Sequence, residues 1–139
     1  MEEQTTPGLI KLLSDHDIER YARVLLGVVE SEGWQDLVSL RVVSFGEVGL
    51  SRNSADRLVW RWAQANNMLL LTGNRNMRGE DSLQRTLNEE NHAAALPVLT
   101  IGRVDRMSDA AYRLRCAARL IEIASRVDLY RGVGRLFIP

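Results

Sequence analysis

One cysteine, one lysine and two histidines are all that this chain of 139 residues contains, and each scarcity removes a class of chemistry. A single Cys116 makes no internal disulfide; between Arg115 and Ala117 in a helical pattern it reads as packing, not as a nucleophile. His16 and His92 do not pair at metal-ligand spacing and read as surface residues. No apolar run approaches the roughly 18 residues of a membrane span. The acidic start Met1-Glu2-Glu3 does not resemble a secretory signal, so a cytoplasmic location without a membrane partner is expected. The chain also lacks GxGxxG, GxxxxGK[ST], HExxH and GxSxG, which excludes the common nucleotide-binding, zinc-protease and hydrolase readings. There is no repeat, no low-complexity tract and no linker. A single domain over residues 1–139 is the expectation.

Net charge is lacking too, with 18 basic and 18 acidic side chains, which argues against a strong non-specific grip on nucleic acid. The balance is uneven along the chain. Residues 1–102 hold 10 basic against 14 acidic side chains, and residues 103–139 hold 8 arginines against 4 acids. With Lys11 the sole lysine, nearly all positive charge is arginine. That suits bidentate phosphate contacts, although a GC-rich coding bias produces the same excess.

What is present is organised around Met68-Leu69-Leu70-Leu71, followed by the polar stretch from Thr72 to Asp81. Four successive apolar residues are too few for a helix and too uniform for a one-sided strand, so they predict a strand buried on both faces. Strands are also predicted over 9–14, 37–45 and 97–101, with a short one at Leu136-Phe137-Ile138. Helical spacing joins them. Ile18, Tyr21, Ala22, Leu25, Leu26 and Val29 form one stripe, stopped by Gly33. Leu58, Val59, Trp62 and Ala63 form a second after a cap at Asn53 or Ser54. A short helix spans about Ser82 to Asn91, with Asp81 and Gln84 as a capping box. Ala111, Leu114, Ala118, Ile121 and Ala124 mark the last helix, after Ser108. Strand–helix alternation predicts an α/β fold, a three-layer α/β/α sandwich around a mostly parallel sheet.

In such sheets ligands bind at the carboxyl ends of strands, which is where the acids fall. Asp15 and Asp17 follow the first strand, Glu47 the second, Asp56 opens a helix and Asp81 follows the central strand. Clustered carboxylates repel, and hard Mg²⁺ or Mn²⁺ ions are what such a cluster holds. Each acid has a plainer reading. Asp15 or Asp17 would cap the first helix, Asp56 and Asp81 would sit favourably at helix starts, and Glu47 would be a solvated loop acid. The three tryptophans, Trp34, Trp60 and Trp62, read as packing rather than as base-stacking platforms.

Leu12-Leu13-Ser14-Asp15-His16-Asp17, then Ser54-Ala55-Asp56, then Leu70-Leu71-Thr72-Gly73-Asn74-Arg75-Asn76 resemble the PIN-like family of small bacterial proteins related to PIN-domain ribonucleases. The resemblance covers roughly residues 9–101. It implies a PIN-like sandwich with an acidic metal pocket, and a Mg²⁺- or Mn²⁺-dependent nuclease acting on single-stranded RNA. Asp15 matches the family's first acid and Asp56 its second. Asn74, Asn76 and Met77 stand where the family pattern Thr-x-Asp-x-Asp-Phe has Asp, Asp and Phe, so the pocket loses charge. On this reading Asp15, Asp56 and Asp81 hold the ion, Asn74 and Asp17 orient ligands or water, and Arg75 and Arg78 contact substrate phosphates. The alternative is an inactive PIN-like module that binds a protein partner or itself. A homodimer is expected from the apolar Leu136-Phe137-Ile138-Pro139 terminus and the tryptophans near Trp60.

Overall fold

A computed structural model describes residues 8–73 and 82–139. Among the described residues five strands, β1 (Leu9–Ser14), β2 (Ser39–Ser44), β3 (Met68–Gly73), β4 (Val98–Ile101) and β5 (Arg135–Ile138), form one sheet. The same residues include four α-helices: α1 (Glu19–Ser31), α2 (Asp56–Ala65), α3 (Leu83–Glu90) and α4 (Ala110–Ser125). The strand order is β2-β1-β3-β4-β5 and every neighbouring pair is parallel. After β2 the chain passes back over β1 to place β3, so the winding reverses between β1 and β3. Side chains at the carboxyl ends of those two strands therefore border the crevice where such sheets take ligands.

Alternation along β3 explains why its run is unbroken. Leu69 and Leu71 face one side with α1 and α4, while Met68 and Leu70 face the other with α2 and α3. All six residues of β3 are buried. The two cores are continuous with β1, whose Leu12 joins the first and Leu13 the second. This is the three-layer α/β/α arrangement that the alternation of elements predicts.

The helix phases differ from the expected stripes. In α2 the buried residues are Val59, Trp60 and Ala63, with Leu58 53% exposed and Trp62 only half-buried. Asp56, Val59, Trp60 and Ala63 are spaced i, i+3, i+4, i+7, so the inward stripe begins with an acid. In α4 the buried residues are Tyr112, Cys116, Ala117, Leu120, Ile121, Ile123 and Ala124. Ala111, Leu114 and Ala118 point outward. Tyr112 sets this phase: its hydroxyl accepts a 2.8 Å hydrogen bond from the Arg103 amide while its ring lies in the core. Cys116 is fully buried beside it, and burial pushes its thiol up to about 11, as befits packing.

The caps shift as well. α2 starts after Ala55, because Ser54 is held in a turn, its amide donating to the Ser51 carbonyl at 2.9 Å. α3 is capped by Ser82, whose hydroxyl accepts from the Arg85 amide at 3.2 Å, and Gln84 donates to Asn88; Asp81, the other half of the expected capping box, lies outside the described residues. α4 takes Asp109 as its cap, its carboxylate accepting from the Ala111 amide at 2.9 Å.

Two of the features offered for a homodimer are satisfied inside one chain. Trp60 is 4% exposed and Ile138 is fully buried, while Phe137 remains 51% exposed on the edge strand β5. Among the described residues no helix is long and apolar enough to cross a membrane.

Candidate functional site

The carboxyl ends of β1 and β3 open onto a cleft of about 50 Å³, lined by Asp15, Asp17, Arg52, Ser54, Asp56 and Thr72 over an apolar floor of Phe45, Val59, Leu70 and Leu83. It lies on the α2/α3 side of the sheet, at the reversal between β1 and β3. Backbone geometry fixes its wall. The Asp15 amide donates to the Leu71 carbonyl at 2.9 Å, so the first residue past β1 is still tied to the central strand. Asp15 occupies the cap position of the short 3₁₀ turn His16–Ile18, yet its side chain makes no capping hydrogen bond there. The capping alternative for Asp15 is thus not what the structure shows. Asp17 lies in that same turn and is exposed, at the rim.

Asp56 reaches the cleft because it heads the inward stripe of α2. Its Oδ2 accepts a hydrogen bond from the Leu83 amide at 3.1 Å, at the first residue of α3. An acid expected to favour the start of its own helix is therefore also placed at the start of another, where an anion is stabilised by the exposed amides. Ion pairs clamp the outer side of the same two helices. Arg57 bonds both Glu89 and Glu90, and Arg61 forks onto Glu90 at 2.8 Å through both contacts. These bonds hold the Glu89 and Glu90 carboxyls below the usual glutamate range.

Thr72 is the last polar group of the floor. It is 2% exposed and its hydroxyl shares a 3.0 Å hydrogen bond with that of Thr100, opposite it on β4. Replacing Thr72 by Val should cost about 1–3 kcal/mol, because the buried Thr100 hydroxyl then loses its partner. Thr72→Val with Thr100→Val should recover most of that loss. Urea denaturation of the two single variants and the double variant measures it, and additive losses would show that the pair carries no coupling.

Of the residues expected in the site, Asp15, Asp17 and Asp56 border one cleft, while Asn74, Arg75, Arg78 and Asp81 lie outside the described residues. Glu47 does not line it. The Ser44 amide and hydroxyl donate to its carboxylate at 3.2 Å each, holding its carboxyl below the usual range with help from Arg23, 3.6 Å away. It is a solvated loop acid, as expected. His16 and His92 are exposed. Arg52 is the residue that sequence reasoning missed, since an arginine in a polar loop carries no local signal of facing a cleft.

Among the described residues the ligands that the lining offers are oxygens, the chemistry that Mg²⁺ and Mn²⁺ require. Among the described residues no three His, Cys, Asp or Glu side chains are grouped to hold a metal ion together. Mg²⁺ nevertheless binds commonly through one or two carboxylates, completed by water and substrate phosphate, and Asp15 with Asp56 suits that pattern. No protein-family model, curated protein or solved structure matches the chain.

Proposed function

We propose that the protein is a Mg²⁺- or Mn²⁺-dependent nuclease that hydrolyses single-stranded RNA at the β1/β3 cleft. The observation that carries this reading is the placement of Asp56 beside Asp15 and Asp17, acids about 40 residues away in sequence, around one small cleft at the sheet's reversal point. A divalent cation there would supply Lewis acidity toward a phosphoryl oxygen and a more acidic water at neutral pH. Asp15 and Asp56 would hold it. Asp17, at the rim, would orient a water by accepting its proton in a hydrogen bond. The apolar floor of Phe45, Val59 and Leu70 keeps the local dielectric low, which strengthens each of these charge interactions. On the resemblance alone, Asp81 and Asn74 add oxygen ligands, and Arg75 and Arg78 contact phosphates.

The bond between Asp56 Oδ2 and the Leu83 amide favours the second reading, a non-catalytic module that binds a protein partner or itself. It gives Asp56 a structural task that needs no ion. Incubating the purified chain with labelled single-stranded RNA in Mn²⁺, and again in EDTA, separates the two. Cleavage that requires Mn²⁺ is the expected result. Intact RNA under both conditions, with no change of melting temperature on adding Mn²⁺, would leave the non-catalytic module.

A further inference from the structure

The cleft holds a cation of its own. Arg52 stands at the second position of the turn 51–54, which two bonds shape: Ser54 N–H to Ser51 O at 2.9 Å and Asn53 N–H to Ser51 Oγ at 3.1 Å. The turn precedes α2 directly, so its position is tied to that of Asp56. Arg52 lines the cleft together with Asp15, Asp17 and Asp56, and among the described residues it has no hydrogen-bond or ion-pair partner. Arg57 and Arg61, five and nine positions further on, are spent on Glu89 and Glu90. Were Arg52 there to neutralise the cleft's acids, it would be paired with one of them.

We propose that Arg52 is the phosphate-binding residue of this cleft and grips a backbone phosphate of the single-stranded RNA beside the bond to be cut. The inference rests on the nuclease reading and sharpens its substrate. A guanidinium presents a planar fork that matches two phosphate oxygens, while the acids and their cation take the neighbouring group. A cleft of about 50 Å³ has room for an ion, a few waters and phosphate oxygens, and is too small to enclose a base. Among the described residues the lining also has no Asn, Gln or exposed aromatic ring that would read or stack one. Recognition at this point is therefore of backbone and not of sequence.

The test is binding of fluorescently labelled oligo(U) and oligo(A), with Ca²⁺ in place of Mn²⁺ so that the strands stay intact, over a range of KCl concentrations, for the wild type, Arg52→Ala and Arg52→Lys. Arg52→Ala should weaken both oligonucleotides alike, by roughly tenfold, and should lower the slope of log affinity against log salt by about 0.7. Arg52→Lys should keep the slope and recover part of the affinity, because it restores charge without the fork. The Mn²⁺-dependent rise in melting temperature should be the same in all three proteins. Wild-type affinity and salt slope in Arg52→Ala would overturn the assignment while leaving the nuclease reading intact. A loss for one oligonucleotide only would overturn the backbone assignment in favour of base recognition. A wild type that binds neither oligonucleotide and does not respond to Mn²⁺ would overturn both readings together.

Discussion

Asp15→Asn should abolish the Mn²⁺-dependent rise in melting temperature and lower RNA cleavage by on the order of 10²–10³-fold, the range seen when one preorganised electrostatic group is lost. The substitution is a narrow one. Asn matches Asp in shape, and the bond that positions residue 15, from its amide to the Leu71 carbonyl, belongs to the backbone and survives. Only the charge changes. For the wild type, a cation present at about 100 times its Kd stabilises the folded chain by about 2.7 kcal/mol, which for a domain of this size is on the order of 10 °C. Differential scanning calorimetry of both proteins, with Mn²⁺ and with EDTA, reads the shift directly. Equal shifts in the two proteins would clear Asp15 of any role as a ligand. Asp56→Asn makes a weaker probe, because the Leu83 amide would lose a charged acceptor and α3 would feel the change as well.

The parts of this architecture that were legible in the sequence are those set by local periodicity. The strand at 9–14 agrees with β1 to the residue, and the apolar run 68–71 correctly indicated a strand covered on both faces. Gly33 ends the first helix as expected, with a φ of 74° that suits glycine. Strand order is a different matter. Whether β2 or β3 takes a given side of β1 depends on crossovers that no short window encodes, and the reversal between β1 and β3 is what makes a cleft there. Hydrophobicity alone points the stripe of α2 the wrong way, because Leu58 and Trp62 are more hydrophobic than the acid that takes the inward face. The spacing 56, 59, 60, 63 was present all along. It would have aimed Asp56 inward without any family resemblance, and the acid at its head is the sign that the helix's first turn borders polar space. In α4 the alanine spacing points to a different face from the one Tyr112 takes, and its buried ring and hydrogen-bonded hydroxyl fix the phase. Of the site itself, Asp15 was legible from its place after a strand. Arg52 was not, because only the tertiary arrangement distinguishes it from other loop arginines.

The sheet's centre should be the least tolerant part of the molecule, and Leu71→Ala tests that. Leu71 is fully buried on the α1/α4 side, aligned with Ser14 of β1 and with Leu99 of β4. Its neighbours in the core include Leu12, Leu25, Ile101 and Leu120, supplied by two strands and two helices, so the site cannot collapse by moving one element. A leucine removed from such a place costs both its transfer free energy and the cavity left behind, about 2–5 kcal/mol. The fold around it has stability of only about 5–15 kcal/mol to lose, and the melting temperature should drop by on the order of 10 °C. Leu58→Ala is the matched control. The same atoms are removed from a side chain that is 53% exposed on the outer face of α2, and the loss should stay within about 0.5 kcal/mol. Denaturant unfolding of both variants distinguishes the two positions. A large loss for Leu58→Ala would mean that a partner or second copy covers that face in solution, and a small loss for Leu71→Ala would contradict a sheet packed on both sides.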